Sequence, residues 1–457
     1  MMKYCSHFYS YLYLDYYDGR VCLCPWMDPN VSVIGNLVHD KIEVAYNSDH
    51  AKYLRSTMDD QTFKHCRREA CPRLQNDDLE DISSEEYQHR MKTSYYPTEI
   101  NMAHDFICNQ YCETCRKAIF VPPPEYDKKM RAIHEKIALY LDTAERVTAS
   151  GHGDPFASKY MMEILENLRP TRQDSSFLIE TNGVLLDEEH WERIKHLREF
   201  HLEVVVTINS FDEFTYKHIS RGGNFAKAMH NLDFMSRLRT SKDIARLTNT
   251  LVIQDRNFRE IPSFIKRSFD SYAFDSVMLR PVYQWGTMDE DVYWLKDVLN
   301  PLHPYHQEYL EILQNPALKD SRVYNFGGDT VHKANPYPSA LSANCIFPYD
   351  VVKRNSKIII YGAGQVGREF IHQLNSNNFC EVILWIDKSF DNECVMPPDR
   401  LLIISRDDYD YVVLATLNRF FTEEMKCNLT DMGVPEERII SCICEAVQDE
   451  LNECVRM

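Results

Sequence analysis

Residues 99–115 read Glu99-Ile100-Asn101-Met102-Ala103-His104-Asp105-Phe106-Ile107-Cys108-Asn109-Gln110-Tyr111-Cys112-Glu113-Thr114-Cys115. The span Glu99–Ile107 reads as a strand, and three thiols follow at once as CxxxCxxC, on a loop leaving the strand's C-terminal end. Downstream the pattern strand, loop, helix recurs. Strands are expected at Glu145–Ser150, Ser176–Thr181, Leu202–Ile208, Arg246–Ile253 and Ser276–Arg280. Between them lie amphipathic candidates at Lys128–Leu141, Lys159–Leu168, Asp187–Phe200 and Phe225–Leu238. Six such units predict an α/β fold with a partial (β/α)6 barrel over 93–300, its functional loops at the C-terminal ends of the strands.

The chain has 457 residues, more than one ordinary core holds, since single cores stop growing at ~250–300 residues. A small cysteine-rich domain is expected over 1–92, which carries five of the cysteines and ends in the acidic stretch Gln75 to Glu86. Residues 301–350, rich in Pro, His, Asn and Tyr, read as irregular connection. Residues 351–457 carry a sharper pattern. Ile358–Tyr361 reads as a buried strand, Gly362-Ala363-Gly364-Gln365-Val366-Gly367 as a glycine-rich turn and Arg368–Leu374 as a helix. Strands Glu381–Ile386 and Tyr411–Ala415 follow, which predicts a Rossmann-like doubly wound domain.

The formal charge of -18, from 51 Lys+Arg against 69 Asp+Glu, argues against broad affinity for nucleic acid. No apolar run approaches the ~18–20 residues of a membrane span, and Met1 to Leu14 is Tyr-rich without a basic leader, so a cytoplasmic protein is expected. Fifteen cysteines in such a chain point to metal centres and reduced thiols more than to disulfides.

Three closely spaced thiolates can hold three irons of a [4Fe–4S] cubane and leave the fourth open, whereas a structural cluster closes all four with cysteine. A zinc knot with a distant fourth ligand has the same look. Further features settle the preference by their order. Gly151-His152-Gly153-Asp154-Pro155 follows the second strand, Thr181-Asn182-Gly183 ends the third, and Ser210 and Arg221 follow the fourth.

With the cysteine motif, these features resemble the radical S-adenosylmethionine superfamily over about two hundred residues. The resemblance implies that Cys108, Cys112 and Cys115 hold the cluster and that Gly151, Gly153, Asp154 and Pro155 form the turn receiving the cofactor's amino group. It implies similar cofactor roles for Thr181 and Asn182, and contacts from Ser210 and Arg221 to its ribose and carboxylate. Glycine lets a backbone carbonyl approach an ammonium, and arginine matches a carboxylate with a planar fork. One departure stands out: the family places an aromatic residue just before the third cysteine, and here Thr114 stands there.

Ahead of the barrel, Cys5, Gly19, Cys24, Cys66 and Cys71, with Ile34-Gly35-Asn36 and Leu54-Arg55, resemble the opening of the auxiliary-cluster domains called SPASM or twitch. Those domains commonly follow the barrel; here the segment precedes it. The resemblance implies a second [4Fe–4S] cluster on Cys5, Cys24, Cys66 and Cys71, with Cys22 competing with Cys24, and zinc remains an alternative occupant.

In the last zone Gly362, Gly364 and Gly367 precede Asp387, which lies twenty residues after the last glycine, as in a dinucleotide fingerprint. The glycines would admit a pyrophosphate and Asp387 would accept a ribose hydroxyl, so a nucleotide or NAD(P) is a candidate ligand. The region resembles small modules attached to enzymes of surface-sugar and glycan assembly. A degenerate module used for docking fits equally well. Cys380, Cys394, Cys427, Cys442, Cys444 and Cys454 show no ligand pattern and are expected to be structural or free thiols.

By the resemblance, the expected enzyme cleaves S-adenosylmethionine reductively and abstracts hydrogen from a substrate, with no protein catalytic residue identified. The substrate class leans to a nucleotide-linked sugar or other small or carrier-linked molecule, with a peptide or protein as the alternative. An electron donor such as flavodoxin or ferredoxin is implied. From other classes stand a zinc-bound nucleotide-sensing or structural protein and a nicotinamide oxidoreductase.

Overall fold

The computed structural model describes residues 3–58, 62–68, 71–75, 79–81, 85, 96–284, 287–326, 346–349, 351–391, 393–416 and 419–441. They fall into two compact units, Met1–Pro281 with Leu313–Val331 and Val282–Ile312 with His332–Met457. In the first, β1 (Lys3–Tyr4) pairs antiparallel with β5 (Glu80–Asp81). The main sheet holds β2 (Tyr11–Leu14), β3 (Arg20–Cys22), β4 (Val33–Asn36), β6 (Glu99–Met102), β7 (Arg146–Ala149), β8 (Ser176–Thr181), β9 (His201–Thr207), β10 (Arg246–Ile253), β11 (Ser276–Pro281) and β12 (Val323–Asn325). Its order is β12-β11-β10-β9-β8-β7-β6-β2-β3-β4.

From β6 to β11 each strand pairs parallel with the next in sequence, the six-fold βα succession that the sequence pattern predicts. Connections of one hand bring every crossover helix to the same face. The side chains follow suit. Ile100, Met102, Val147, Phe177, Ile179, Val204, Leu247, Leu251 and Leu279 are buried with period two. The alternate residues Asn101, Glu180 and Arg280 are half-buried on the opposite, open face. Helix Tyr126–Leu141 shows the complementary stripe, burying Met130, Ile133, Ile137 and Leu141 at helical spacing.

Two differences from expectation concern the sheet's edges. The cysteine-rich segment shares the core sheet, because β2 pairs parallel with β6, Tyr11 opposite Glu99 and Leu14 opposite Met102. Residues 301–350, expected to be irregular, include helix His306–Leu313 and strand β12, which adds to the edge through a three-residue register with β11. A strand that short has too few residues to show period two in sequence.

The second unit contains a four-stranded parallel sheet, order β14-β13-β15-β16, from β13 (Lys357–Tyr361), β14 (Glu381–Ile386), β15 (Tyr411–Leu414) and β16 (Ile439–Ser441). Chain order reverses at β13, so a topological switch point opens beside its C-terminal end. Its core includes Ile359, Ile386, Val412, Leu414 and Leu429. Among the described residues no helix is long and apolar enough to cross a membrane.

Candidate functional site

The three-cysteine loop leaves β6 under tension from named contacts. Asp105 Oδ1 accepts from Ile107 N at 2.9 Å and from Tyr126 Oη at 2.6 Å, and its Oδ2 accepts from Ser158. These bonds turn the chain out of the strand, so the expected strand through Ile107 ends at Met102 instead. Farther on, Tyr111 N donates to Arg221 O and Glu113 N to Ile219 O, each at 2.9 Å, tying the loop to the segment after β9. Gln110 Nε2 reaches Tyr216 Oη at 3.1 Å. Cys115 N and Arg116 N both donate to Cys112 O, closing the turn that presents the last two thiols.

The turn after β7 presses directly on this loop. Asp154 N donates to Ile107 O at 2.9 Å, and a Cβ built at Gly153 would stand 2.5 Å from Ile107 O and 2.6 Å from Asp105 O. Only glycine permits that approach. Gly151 has φ +100° and faces Ala103 with equal closeness. Arg116 clamps the two loops, donating to Phe106 O at 2.7 Å and also to His152 O. The carboxylate of Asp154 faces inward. Its Oδ2 accepts from Thr181 Oγ1 at 2.8 Å and Asn182 N at 2.7 Å, and Oδ1 accepts from Phe156 N at 3.1 Å. Burial nevertheless raises its pKa above the ordinary value. Asn182 Nδ2 then reaches Asn109 Oδ1 at 2.8 Å and Cys108 Sγ at 3.7 Å.

The structure thus gathers Gly151, Gly153, Asp154, Thr181 and Asn182 around the Cys108 end of the loop. Burial pushes the Cys108 thiol up to about 12, aided by the nearby Asp154 carboxylate. Burial also pushes Cys112 well above its ordinary value, reinforced by Cys115 and Cys108. Cys108 and Cys112 are half-buried and Cys115 is exposed; neighbouring thiols whose ionisation burial and mutual repulsion oppose can ionise together when a cation compensates them, so this donor set fits an iron–sulfur centre. Among the described residues no three His, Cys, Asp or Glu side chains converge as a single metal ion would need; ligands of a cubane are bound to separate irons and stand farther apart.

Ser210 is fully buried and donates to Glu260, while its oxygen accepts from Asp212 N at 2.9 Å. Arg221 donates to Glu113 at 3.1 Å, and Arg256 Nε stands 3.4 Å from the other carboxylate oxygen. Sequence reasoning missed Glu113, Arg116 and Arg256. The first two lie in or beside the motif, where a charge between two cysteine ligands was the available signal.

The N-terminal thiols also assemble. Burial raises Cys24, and Cys5, Cys71 and Cys66 add to the effect from close by. Cys66 is pushed up to about 12 by burial and then by Cys5 and Cys71. Cys22 belongs elsewhere: it donates to Ser32 Oγ at 3.5 Å, and burial raises it to about 11 with no neighbouring thiol contributing. Of the competitors, Cys24 and not Cys22 feels the electrostatic influence of Cys5, Cys66 and Cys71.

In the second unit Gly364 caps helix Gln365–Asn377, and a Cβ there would meet nothing within 4 Å. Gly367 is the tight position, where an added Cβ would collide with Gly362 O. Asp387 accepts from Ala363 N at 2.6 Å and Ser389 N at 2.7 Å, so it braces the glycine-rich turn. Of the cysteines expected to lack ligand roles, Cys442, Cys444 and Cys454 lie outside the described residues, while Cys380, Cys394 and Cys427 are free thiols.

Residues 103–267 match the family model described as the radical SAM superfamily, and residues 354–440 match the one described as C2185-like, N-terminal. No curated protein matches the chain. Among solved structures, Streptococcus suis SuiB bound to S-adenosylmethionine is similar at 11% identity and TM-score 0.35, covering 65% of this chain and 64% of that one. The chain thus spans somewhat under two thirds of that relative. Methylornithine synthase (PylB) is similar at 11% identity and TM-score 0.30, covering 60% of this chain and 85% of that chain.

Proposed function

Residues 103–267 of this chain belong to the radical SAM superfamily, and from that premise we propose an enzyme that cleaves S-adenosylmethionine reductively and abstracts hydrogen from a small or carrier-linked substrate. The observation that carries the reading is the loop of Cys108, Cys112 and Cys115, held against Gly153 and Asn182 by backbone and side-chain bonds. When bound, the cluster would supply the electron for reductive cleavage of S-adenosylmethionine, and through it the power to abstract hydrogen from substrate.

The protein's part is positioning. Cys108, Cys112 and Cys115 would ligate three irons and leave one for the methionine end of the cofactor. The turn Gly151–Pro155 would offer backbone groups to its ammonium, and Arg221 lies on the loop expected to meet its carboxylate, whereas the Ser210 hydroxyl is buried against Glu260 and acts on that loop from within. Substrate would approach the open face of the sheet. There Ser150 donates to Asn101 at 3.0 Å, Asn101 donates to Tyr11 Oη at 2.8 Å, and Arg280 pairs with Glu180 at 3.3 Å. Such a polar wall suits a hydroxyl-bearing ligand. In the second unit, taken by itself, Gly364 leaves room beside its backbone for a nucleotide. Cys5, Cys24, Cys66 and Cys71 would hold the auxiliary cluster, with an external flavodoxin or ferredoxin as electron source.

The test is anaerobic reconstitution followed by reductant and S-adenosylmethionine. The wild type should bind iron and sulfide and form 5′-deoxyadenosine, and Cys112→Ala should form none. Equal yields from both, or stoichiometric zinc without iron, would remove the proposal. Addition of nucleotide-linked sugars should accelerate product formation; acceleration by peptides alone would favour a peptide-modifying enzyme.

A further inference from the structure

Glu113 lies between two of the expected cluster ligands, on a loop where a charged side chain would normally point to solvent. Its side chain is instead 2% exposed. Two arginines meet it there. Arg221, from the segment after β9, donates to Oε1 at 3.1 Å. Arg256, from the segment after β10 and itself 1% exposed, stands 3.4 Å from Oε2. Burying a lone carboxylate costs several kcal/mol, so the position is tenable only with such compensation. The backbone around the pair is equally constrained: Tyr111 and Glu113 form a two-rung ladder with Arg221 and Ile219, and a Cβ at Gly223 would stand 2.7 Å from Gln110 Nε2 and Tyr216 Oη.

The two arginines differ in what they have left. Arg221 keeps 34% of its side chain exposed while one guanidinium nitrogen is engaged with Glu113. A guanidinium is planar, so engaging one of its nitrogens leaves the other N–H groups to present a second edge, the geometry that receives a carboxylate in two bonds. We propose that Glu113 is a positioning residue: anchored by Arg256, it holds Arg221 in the orientation that receives the carboxylate of S-adenosylmethionine beside the cluster loop. The inference rests on the radical SAM reading of the site and adds to it a residue within the cysteine motif that acts through another side chain.

A double-mutant cycle on the anaerobically reconstituted full chain tests it. Wild type, Glu113→Gln, Arg221→Gln and the double variant are compared by iron and sulfide content, by calorimetric affinity for S-adenosylmethionine, and by the change in the reduced cluster's EPR spectrum when the cofactor is added. Glu113→Gln keeps the side chain's volume and removes its charge. It should retain wild-type iron, bind the cofactor about tenfold more weakly, as loss of a charge-assisted bond implies, and lose much of the cofactor-induced spectral change. Arg221→Gln should lose at least as much. In the Arg221→Gln background the Glu113 substitution should then cost nothing further, since it has no arginine left to orient.

Three results overturn the inference. Unchanged affinity in Glu113→Gln would show that Arg221 needs no anchor, and fully additive losses would show that Glu113 acts on its own. Loss of iron in parallel with affinity would make Glu113 a support of the loop alone; should Gln fail to fold, Glu113→Asp, which keeps the charge, must restore affinity together with iron. A wild type that holds iron and does not bind S-adenosylmethionine would be a different failure, removing the underlying reading and the inference with it.

Discussion

Gly153→Ala is the sharpest perturbation the site offers, because the added methyl meets backbone and not a side chain that could swing away. Its Cβ would stand 2.5 Å from Ile107 O and 2.6 Å from Asp105 O. Carbon and carbonyl oxygen settle at ~3.3 Å or more, so the turn after β7 must retreat from the cysteine loop by roughly 0.8 Å. Added to the 2.9 Å bond from Asp154 N to Ile107 O, that retreat gives about 3.7 Å, beyond the range of a hydrogen bond. The expected stability loss is ~1–3 kcal/mol, the usual cost of overpacking.

The effect on chemistry should be larger in proportion, since a displacement near 1 Å at a reacting site can cost on the order of a hundredfold. Gly153→Ala is therefore expected to keep its three thiols and most of its iron while forming 5′-deoxyadenosine about ten- to a hundredfold more slowly. Iron assay, thermal unfolding and quantified 5′-deoxyadenosine read the three consequences separately. A variant with wild-type cleavage and wild-type affinity for S-adenosylmethionine would refute the idea that this close approach builds the cofactor site.

Three other outcomes follow from the same contacts. Replacing Cys24 by Ala should lower the iron content of the reconstituted protein by about one cluster while Cys22→Ala leaves it unchanged, because Cys24, unlike Cys22, lies within electrostatic reach of Cys5, Cys66 and Cys71; elemental analysis decides. Gly364→Leu should leave thermal stability unchanged, since nothing lies within 4 Å of the new Cβ, and should abolish binding of nucleotides or nucleotide-linked sugars in calorimetry, whereas Asp387→Ala should also destabilise by ~1–3 kcal/mol by orphaning the Ala363 and Ser389 amides. Burial would raise the Asp187 carboxyl, but bonds from His190 and Lys227 overcome it and hold the pKa down to about 2; a lowered folded pKa stabilises above the unfolded value, so the contribution, ~1–2 kcal/mol after solvent screening, should fade as pH falls from about 4 to 2 and be missing at pH 7 in Asp187→Asn, as read by urea unfolding.

The parts legible in sequence are those with local grammar. Strands β8 and β10 alternate or run apolar over six and eight residues, and they stand within a residue of expectation. The cysteine loop and the glycine turns were visible because each needs special residues at fixed spacing. What escaped was made by distant partners. Tyr11–Leu14 is four residues long, too short to announce that it completes the core sheet beside β6. Glu113 reads as an ordinary charged loop residue until Arg221 and Arg256, over a hundred positions away, are brought to it by the ends of β9 and β10.

The β2–β6 pairing gives the N-terminal thiols a mechanical relation to the proposed radical site. Strand β2 enters the sheet in register with β6, which itself delivers the Cys108–Cys115 loop. Cys24 follows β3, which pairs with β2, and Cys108 follows β6, so these two thiols leave strands of one sheet. Tyr11 is the side chain at that junction. Burial raises its phenol, Asn101 donates to it, and Cys24 and Glu180 both contribute to its electrostatic surroundings. A phenol that accepts from Asn101 keeps its own proton to donate, on the same face as the Glu180–Arg280 pair. Parallel pairing at the first core strand thus brings the cysteine-rich segment into the same sheet as the strand that delivers the loop of Cys108, Cys112 and Cys115.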